Sequence, residues 1–279
     1  MNIHSEIIGE GNPVVLIHGF CETSSIWKPL INKLALSHQV ITLDLPGFGK
    51  SPLQSINFSI MDIAEMVHGY LEEKNLLNSA LVGHSLGGYV TLAIAERHAA
   101  DYKGFGLFHS TSFADDDEKK RSRNKTIEFV KKRGVQVFAD SFVQQLFYVK
   151  NRAHLENEIK VVINAAAETS AASLISYMEA MRDRPDRSEV LKSIDQPTLF
   201  IAGDQDGSVP IDKSRAQYGL MKDATIAELK DVAHMGMYEA TQKCFIAINE
   251  FLSKVYPSDD SEDAGTLPDR DLKKNLGCG

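Results

Sequence analysis

Only three cysteines occur in 279 residues, Cys21, Cys244 and Cys278. They lie far apart and form no C-x-x-C pair, which excludes a disulfide-stapled scaffold and a cysteine-based zinc site. No stretch approaches the ~18 consecutive apolar residues of a membrane span. The opening residues, MNIHSEIIGEGNP, lack a basic segment followed by an apolar one, so no secretory signal is expected. Positive charge is in deficit, with 30 Lys and Arg against 38 Asp and Glu and a formal net charge of -8. Neither nucleic acid nor an anionic membrane is therefore expected as a main partner. The chain has no dinucleotide-binding glycine fingerprint, no phosphate-loop spacing, no internal repeat, and no His, Asp or Glu set at metal-ligand spacing. No metal or cofactor is expected, and the expected setting is soluble, reduced and cytoplasmic. Oligomeric state is not legible.

What is present is an ordinary globular composition, 43% hydrophobic and 24% charged, which argues against disorder. The runs PVVLIHG (13–19), QVITLDL (39–45), SALVGH (79–84), KGFGLFH (103–109) and PTLFIAG (197–203) read as buried strands. Helical spacing of apolar residues fills 24–36, 59–75 and 86–100, with Ser59 as an N-cap and Asp62 in the first turn. This alternation predicts an α/β fold, a mostly parallel doubly wound sheet with helices on both faces. TIAELK (225–230) would be a last edge strand and 243–255 a closing helix.

Residues 113–194 break the rhythm. They offer helical stretches at 118–133, 135–147, 153–168 and 171–182 and no strand. Because the segment falls between two sheet strands, it reads as an inserted helical cap over the carboxyl edge, where open α/β sheets bind ligands. The expected organisation is a core of 1–112 and 195–256, a cap of 113–194, and a polar, acid-rich tail of 257–279 that is expected to be flexible. The closing LGCG does not match a prenylation signal.

The most informative stretch is SALVGHSLGGYVTLAIAERH (79–98). If 80–82 end a strand and Leu86 starts a helix, Ser85 sits on a very tight strand-to-helix turn at positive φ. Gly83 and Gly87 flank it at G-x-S-x-G spacing, and Gly88 gives clearance where the helix meets the sheet. The N–H of Leu86 would point at the space where an oxyanion could develop. Alone, the pattern also fits a glycine-rich helix start with no chemistry. A serine nucleophile needs a base, and the base an orienting group. Two loops leave strand carboxyl ends with candidates: GDQDGSVP (203–210) carries Asp204 and Asp206, and DVAHMGMYEA (231–240) carries His234. The chain order is serine, acid, histidine.

With HGF (18–20), DLPGFGKS (44–51), GHSLGG (83–88), AMRDRPD (180–186), GDQDGSVP and AHM (233–235), the chain resembles the α/β-hydrolase fold superfamily over most of its length. It is similar in particular to small capped serine hydrolases such as carboxylesterases, enol-lactonases and perhydrolases. The resemblance implies Ser85 as nucleophile, His234 as general base, Asp206 rather than Asp204 as its orienting carboxylate, and the N–H groups of Phe20 and Leu86 as an oxyanion hole. It implies a serine hydrolase acting on a small or medium carboxylic ester or lactone through an acyl-enzyme, without cofactor. A carbon–carbon bond hydrolase or perhydrolase with the same triad is the enzymatic alternative, and a ligand-binding or signalling protein on the same scaffold is the alternative of another class. Serine at position 85 argues against haloalkane dehalogenases and epoxide hydrolases, which use aspartate there.

Trp27, Phe113, Phe138, Phe142, Phe147, Met178 and Met181 are candidates for an acyl pocket, with about half expected to touch a ligand. His18 and His84 are expected to hold loops, Cys21 to pack, and Asp44 to form a turn after a strand. In one respect the chain departs from the family: only about a dozen residues precede Pro13, so the sheet is expected to be short at that edge.

Overall fold

The computed structural model describes residues 2–53 and 55–257. The tail expected to be flexible, with Cys278, lies outside the described residues from 258 onward. Seven strands form one sheet in the order β1-β3-β2-β4-β5-β6-β7. They are β1 (Ser5–Ile8), β2 (Asn12–Ile17), β3 (His38–Leu43), β4 (Ala80–His84), β5 (Gly104–Phe108), β6 (Thr198–Gly203) and β7 (Ala224–Leu229). Only β1 is antiparallel, pairing with β3 at the edge. The central strands β4, β5 and β6 are buried at every position, as parallel strands covered on both faces must be. Strand β1 is four residues long and mostly exposed. It sits beside β3 rather than hairpinning with β2, and closes an edge that the sequence reading left bare.

Helices α1 (Lys28–Leu34), α2 (Ile60–Glu73) and α3 (Leu86–His98) follow β2, β3 and β4. Ser59 caps α2 with a reciprocal box: its Oγ accepts from the Asp62 N–H at 3.2 Å while the Asp62 carboxylate accepts from the Ser59 N–H at 2.7 Å. Helix α3 is apolar on all sides and buried from Leu86 to Ala95, because it packs on β4 and β5 and carries α2 against its outer face. Five helices lie between β5 and β6: α4 (Asp117–Arg133), α5 (Val135–Gln145), α6 (Glu156–Ala167), α7 (Ala171–Arg182) and the short α8 (Ser188–Ser193). Helix α9 (Ile211–Tyr218) lies between β6 and β7, and α10 (Gly236–Glu239) and α11 (Thr241–Val255) follow β7, α11 packing on β6, β7 and α1.

The register aligns the strand ends. Ile17 pairs with Gly83, His84 with Phe108, Phe108 with Ile201, and Gly203 with Leu229. Residues that follow β2, β4, β5, β6 and β7 therefore leave the sheet along one common edge. Groups from the inserted helices touch the loops of that edge. The Tyr177 hydroxyl donates to the Pro46 carbonyl at 2.8 Å, and the Phe142 ring meets Phe20 edge-on at 5.9 Å.

Candidate active site

Ser85 leaves β4 at φ 51° and ψ -112°, a conformation that costs a non-glycine residue on the order of 1–3 kcal/mol. Hydrogen bonds hold it there: its N–H donates to the Phe108 carbonyl at 2.9 Å, and its carbonyl accepts from the Ser110 hydroxyl at 2.7 Å and the Gly88 N–H at 3.0 Å. The turn also needs its small neighbours. A β-carbon on Gly83 would stand 2.2 Å from the Gly87 carbonyl group, and one on Gly87 would stand 2.3 Å from the Ile17 oxygen. The N–H of Leu86 is the first of α3, where the helix offers no carbonyl to accept it.

Asp206 and His234 meet directly. The His234 Nδ1 donates to Asp206 Oδ2 at 2.7 Å, and both side chains are buried. The other carboxylate oxygen accepts from the N–H groups of Ser208 at 2.8 Å and Val209 at 3.0 Å. Burial alone would push the Asp206 carboxyl pKa up, but the two imidazoles bonded to it hold it far below the usual carboxylate range. Asp204, two residues earlier, accepts only a long bond from the Val232 N–H at 3.4 Å and is half-buried. The His234 loop is fixed through its backbone. The His234 N–H donates to the Leu146 carbonyl at 2.9 Å, and the Glu239 carboxylate accepts from the N–H groups of Ala233 at 3.1 Å and Met235 at 3.3 Å.

A third residue, absent from the sequence candidates, joins this pair. The His109 Nδ1 donates to the same Asp206 oxygen at 3.2 Å, while its Nε2 is buried with no hydrogen-bond partner among the described residues. Burial, with no acceptor for a second proton, lowers its pKa to about 4. His109 therefore stays neutral near pH 7 and acts on Asp206 as a dipole.

The loop after β2 is built around a second buried pair. Glu22 accepts from the Gly19 N–H at 2.6 Å and pairs with His84 Nδ1 at 2.9 Å, and His84 Nε2 meets the carbonyl of His234 at 2.9 Å. Burial disfavours charge on both, yet the pairing wins, raising the His84 pKa and lowering that of Glu22. His84 thus ties the Phe20 loop to the His234 loop. His18 accepts from the Leu45 N–H at 2.9 Å and donates to its neighbour's carbonyl, with its pKa lowered by burial. Asp44 caps the turn after β3, accepting from the N–H groups of Ser24 at 2.8 Å and Lys50 at 3.0 Å. Cys21 stands at φ 62° in the Phe20 loop, and burial pushes its thiol pKa well up, so it is no thiolate.

Ser85 and His234 line one small cavity of about 80 Å³ with Phe20, Glu22, Tyr89 and side chains from the inserted helices. Of the acyl-pocket candidates, Phe142, Met178 and Met181 line it. The other four lie elsewhere. Trp27 is fully buried beneath the site against Phe108, at 5.4 Å between ring centroids. Phe138 stacks behind Phe142 at 4.9 Å, Phe147 is buried near Tyr238, and Phe113 lines an adjoining chamber of about 280 Å³.

Among the described residues, two groups bring three possible metal-ligand atoms within 4.8 Å of one another: His68, His98 and Asp101, and the buried His109, Asp206 and His234. In the second, both Nδ1 atoms already donate to the carboxylate, so its donors are turned on one another. Sequence spacing conceals this group, since its members lie 28 to 125 residues apart.

Residues 12–105 match the family model described as the alpha/beta hydrolase fold. Over 109 residues the chain is 41% identical to a pimeloyl-[acyl-carrier protein] methyl ester esterase of Legionella pneumophila, covering 37% of this chain and 40% of that protein. Over 257 residues it is 27% identical to the dihydrolipoyllysine-residue acetyltransferase component of an acetoin cleaving system of Pseudomonas putida, covering 89% of this chain and 66% of that one. The chain thus spans less than two thirds of the length of either curated relative. Among solved structures, a thermophilic esterase from Thermogutta terrifontis superimposes with a TM-score of 0.85 at 25% identity, over 91% of this chain and 93% of that one. The enol-lactonase from Burkholderia xenovorans superimposes at 0.84 with 21% identity, over 90% and 96%.

Proposed function

The chain belongs to the α/β-hydrolase fold superfamily, and from that premise we propose that it is a serine hydrolase cleaving a small carboxylic ester or lactone through an acyl-enzyme. The observation that carries the reading is the 2.7 Å bond from His234 to Asp206, made by a histidine that shares an 80 Å³ cavity with the strained Ser85. With its Nδ1 proton held by Asp206, His234 presents Nε2 as the base. It takes the Ser85 proton as Oγ attacks the carbonyl carbon. The N–H groups of Phe20 and Leu86 hold the oxyanion, each worth on the order of 3 kcal/mol in the transition state. As the tetrahedral intermediate collapses, the C–O bond to the leaving group breaks and His234 protonates the alcohol. Water, deprotonated by His234, then attacks the acyl-enzyme and releases the acid. In this reading α4–α7 are the cap, which limits the acyl group and excludes bulk water.

Ser85→Ala is expected to abolish turnover of p-nitrophenyl acetate while leaving circular dichroism and the melting temperature in place, and a fluorophosphonate probe is expected to label Ser85 stoichiometrically. Turnover surviving in the variant overturns the assignment.

A further inference from the structure

Helix α4 is the most highly charged of the inserted helices, yet two of its cations are turned inward. Lys119 and Arg123, one turn apart, both line the cavity that holds Ser85 and His234, whose other walls are largely apolar. Arg123 is only 9% exposed. Its Nε and Nη2 donate to the two oxygens of Asp115. Its Nη1 donates to the thioether sulfurs of Met178 at 3.8 Å and Met181 at 3.5 Å, which are weak acceptors. Asp115 cannot match this guanidinium alone, because its Oδ1 also accepts from Arg184 Nη1 at 2.7 Å. Arg184 is otherwise satisfied: it donates to the carbonyls of Met181 at 2.6 Å and Phe113 at 2.8 Å, and lies 3.9 Å over the Tyr89 ring.

Arg184 also has the Asp186 charge within electrostatic range, whereas Arg123 has only the carboxylate it shares, and its Nη1 edge meets no oxygen acceptor among the described residues. Lys119 adds a half-buried positive charge on the same wall, its Nζ donating to the Ser208 carbonyl at 3.4 Å with the exposed Asp116 carboxylate within electrostatic range. Glu22, the acid that lines the same cavity, is committed to His84 and the Gly19 N–H. A buried guanidinium that shares its only carboxylate is under-matched, a cost that a ligand anion would offset. A guanidinium edge that meets only sulfur is a vacant half of a two-pronged carboxylate site.

Building on the serine-hydrolase reading, we infer that the substrate carries a carboxylate close to its scissile ester, held by Arg123 with Lys119 beside it. Ser85 and Arg123 line the same small cavity, which places the anion near the reacting carbonyl. Half-esters of short dicarboxylic acids have this form.

The test compares monomethyl glutarate with the methyl ester of glutaramic acid, its uncharged near-isostere, as substrates of the full-length protein. At least a tenfold preference in kcat/KM for the anion is expected, with glutarate slowing fluorophosphonate labelling of Ser85 competitively and more strongly than inorganic phosphate does. Arg123→Met is expected to bring the substrate ratio to about one, and Arg123→Lys to recover part of it. Lys119→Gln, at a half-buried position, lowers the ratio and serves if the buried variant fails to fold. A wild-type ratio at or below one, no protection by glutarate, or a ratio unchanged in Arg123→Met overturns the inference while rapid Ser85 labelling leaves the hydrolase reading standing. If Ser85 is neither labelled nor needed for turnover, both fall together.

Discussion

Asp206→Asn is the substitution that probes the proposed mechanism most directly, because it changes one charge and almost no volume. The native carboxylate is acceptor-only and faces four donors: the Ser208 and Val209 N–H groups on Oδ1, and the His234 and His109 rings on Oδ2. An amide has one acceptor oxygen for these four. With its oxygen kept toward the two backbone N–H groups, its NH₂ faces both imidazole Nδ1 atoms and forces His234 to carry its proton on Nε2, where it can no longer accept from Ser85. Flipped, the amide leaves two buried N–H groups without an acceptor, at a cost of about 1–3 kcal/mol each.

Either way the imidazolium that forms in the transition state loses its counter-charge. We expect kcat for p-nitrophenyl acetate to fall by about 10⁴-fold with KM little changed, and urea denaturation to reveal a loss of about 2 kcal/mol or more. Asp204→Asn is the control, since Asp204 makes one long bond and is half-buried; its kcat should stay within twofold and its stability within about 0.5 kcal/mol. Asp206→Asn retaining kcat within tenfold, or Asp204→Asn losing a thousandfold, would refute the assignment of the acid.

Gly83→Ala is expected to destabilise the fold by about 3 kcal/mol, because the new methyl meets the Gly87 backbone at 2.2 Å and no side-chain rotation relieves it. An unchanged melting temperature would refute the turn geometry. Stability should also fall on mild acidification. His109 binds its proton near pH 4 when folded and near pH 6.5 when unfolded, so its contribution is complete above about pH 6.5 and is lost as pH falls toward 4, by about 3 kcal/mol in all. The depressed Asp206 carboxyl adds a further loss once pH drops below its unfolded value of about 3.9. Urea midpoints between about pH 7.5 and 3 measure this, and His109→Gln should flatten the upper part of the slope; a flat wild-type profile would contradict it.

The sheet was readable because its inner strands are short, largely apolar runs, and the Ser85 turn because its glycines are a steric necessity at fixed spacing. Strand β1 was not, since SEII is short, mostly exposed and held mainly by pairing with β3. Two aspartates two residues apart in GDQDGSVP cannot be separated by periodicity, and only the path of the loop decides which one reaches His234. His109 was hidden by its position as the last letter of a strand-like run, although a histidine one residue past a buried strand, level with Ser85 on the next strand, was a usable signal. Among the inserted helices, spacing identifies an apolar face without saying what it faces. Phe138 and Phe142 share a face, yet one lines the cavity and the other packs behind it. Arg123 was lost in DEKKRSRNKTIEFVKKR, a segment so charged that it reads as a solvated surface.

Three imidazoles and two carboxylates are buried together at this sheet edge, with ring centroids 4.8 Å apart for His84 and His234, 5.8 Å for His109 and His234, and 6.1 Å for His84 and His109. Like charges at these separations repel, so the cluster cannot carry three imidazolium ions. The environment sorts them. His84, paired with Glu22, has its pKa raised, and that pair balances its own charge. His109, with a buried Nε2 and no acceptor, has its pKa lowered and remains neutral. His109 therefore places no cation on the Asp206 charge, and in the proposed mechanism that charge stabilises the imidazolium formed at His234 when the Ser85 proton arrives. A fully protonated neighbour in place of His109 would cancel that charge in the ground state, which is a physical reason for a second histidine on the carboxylate to be held far from its ordinary pKa.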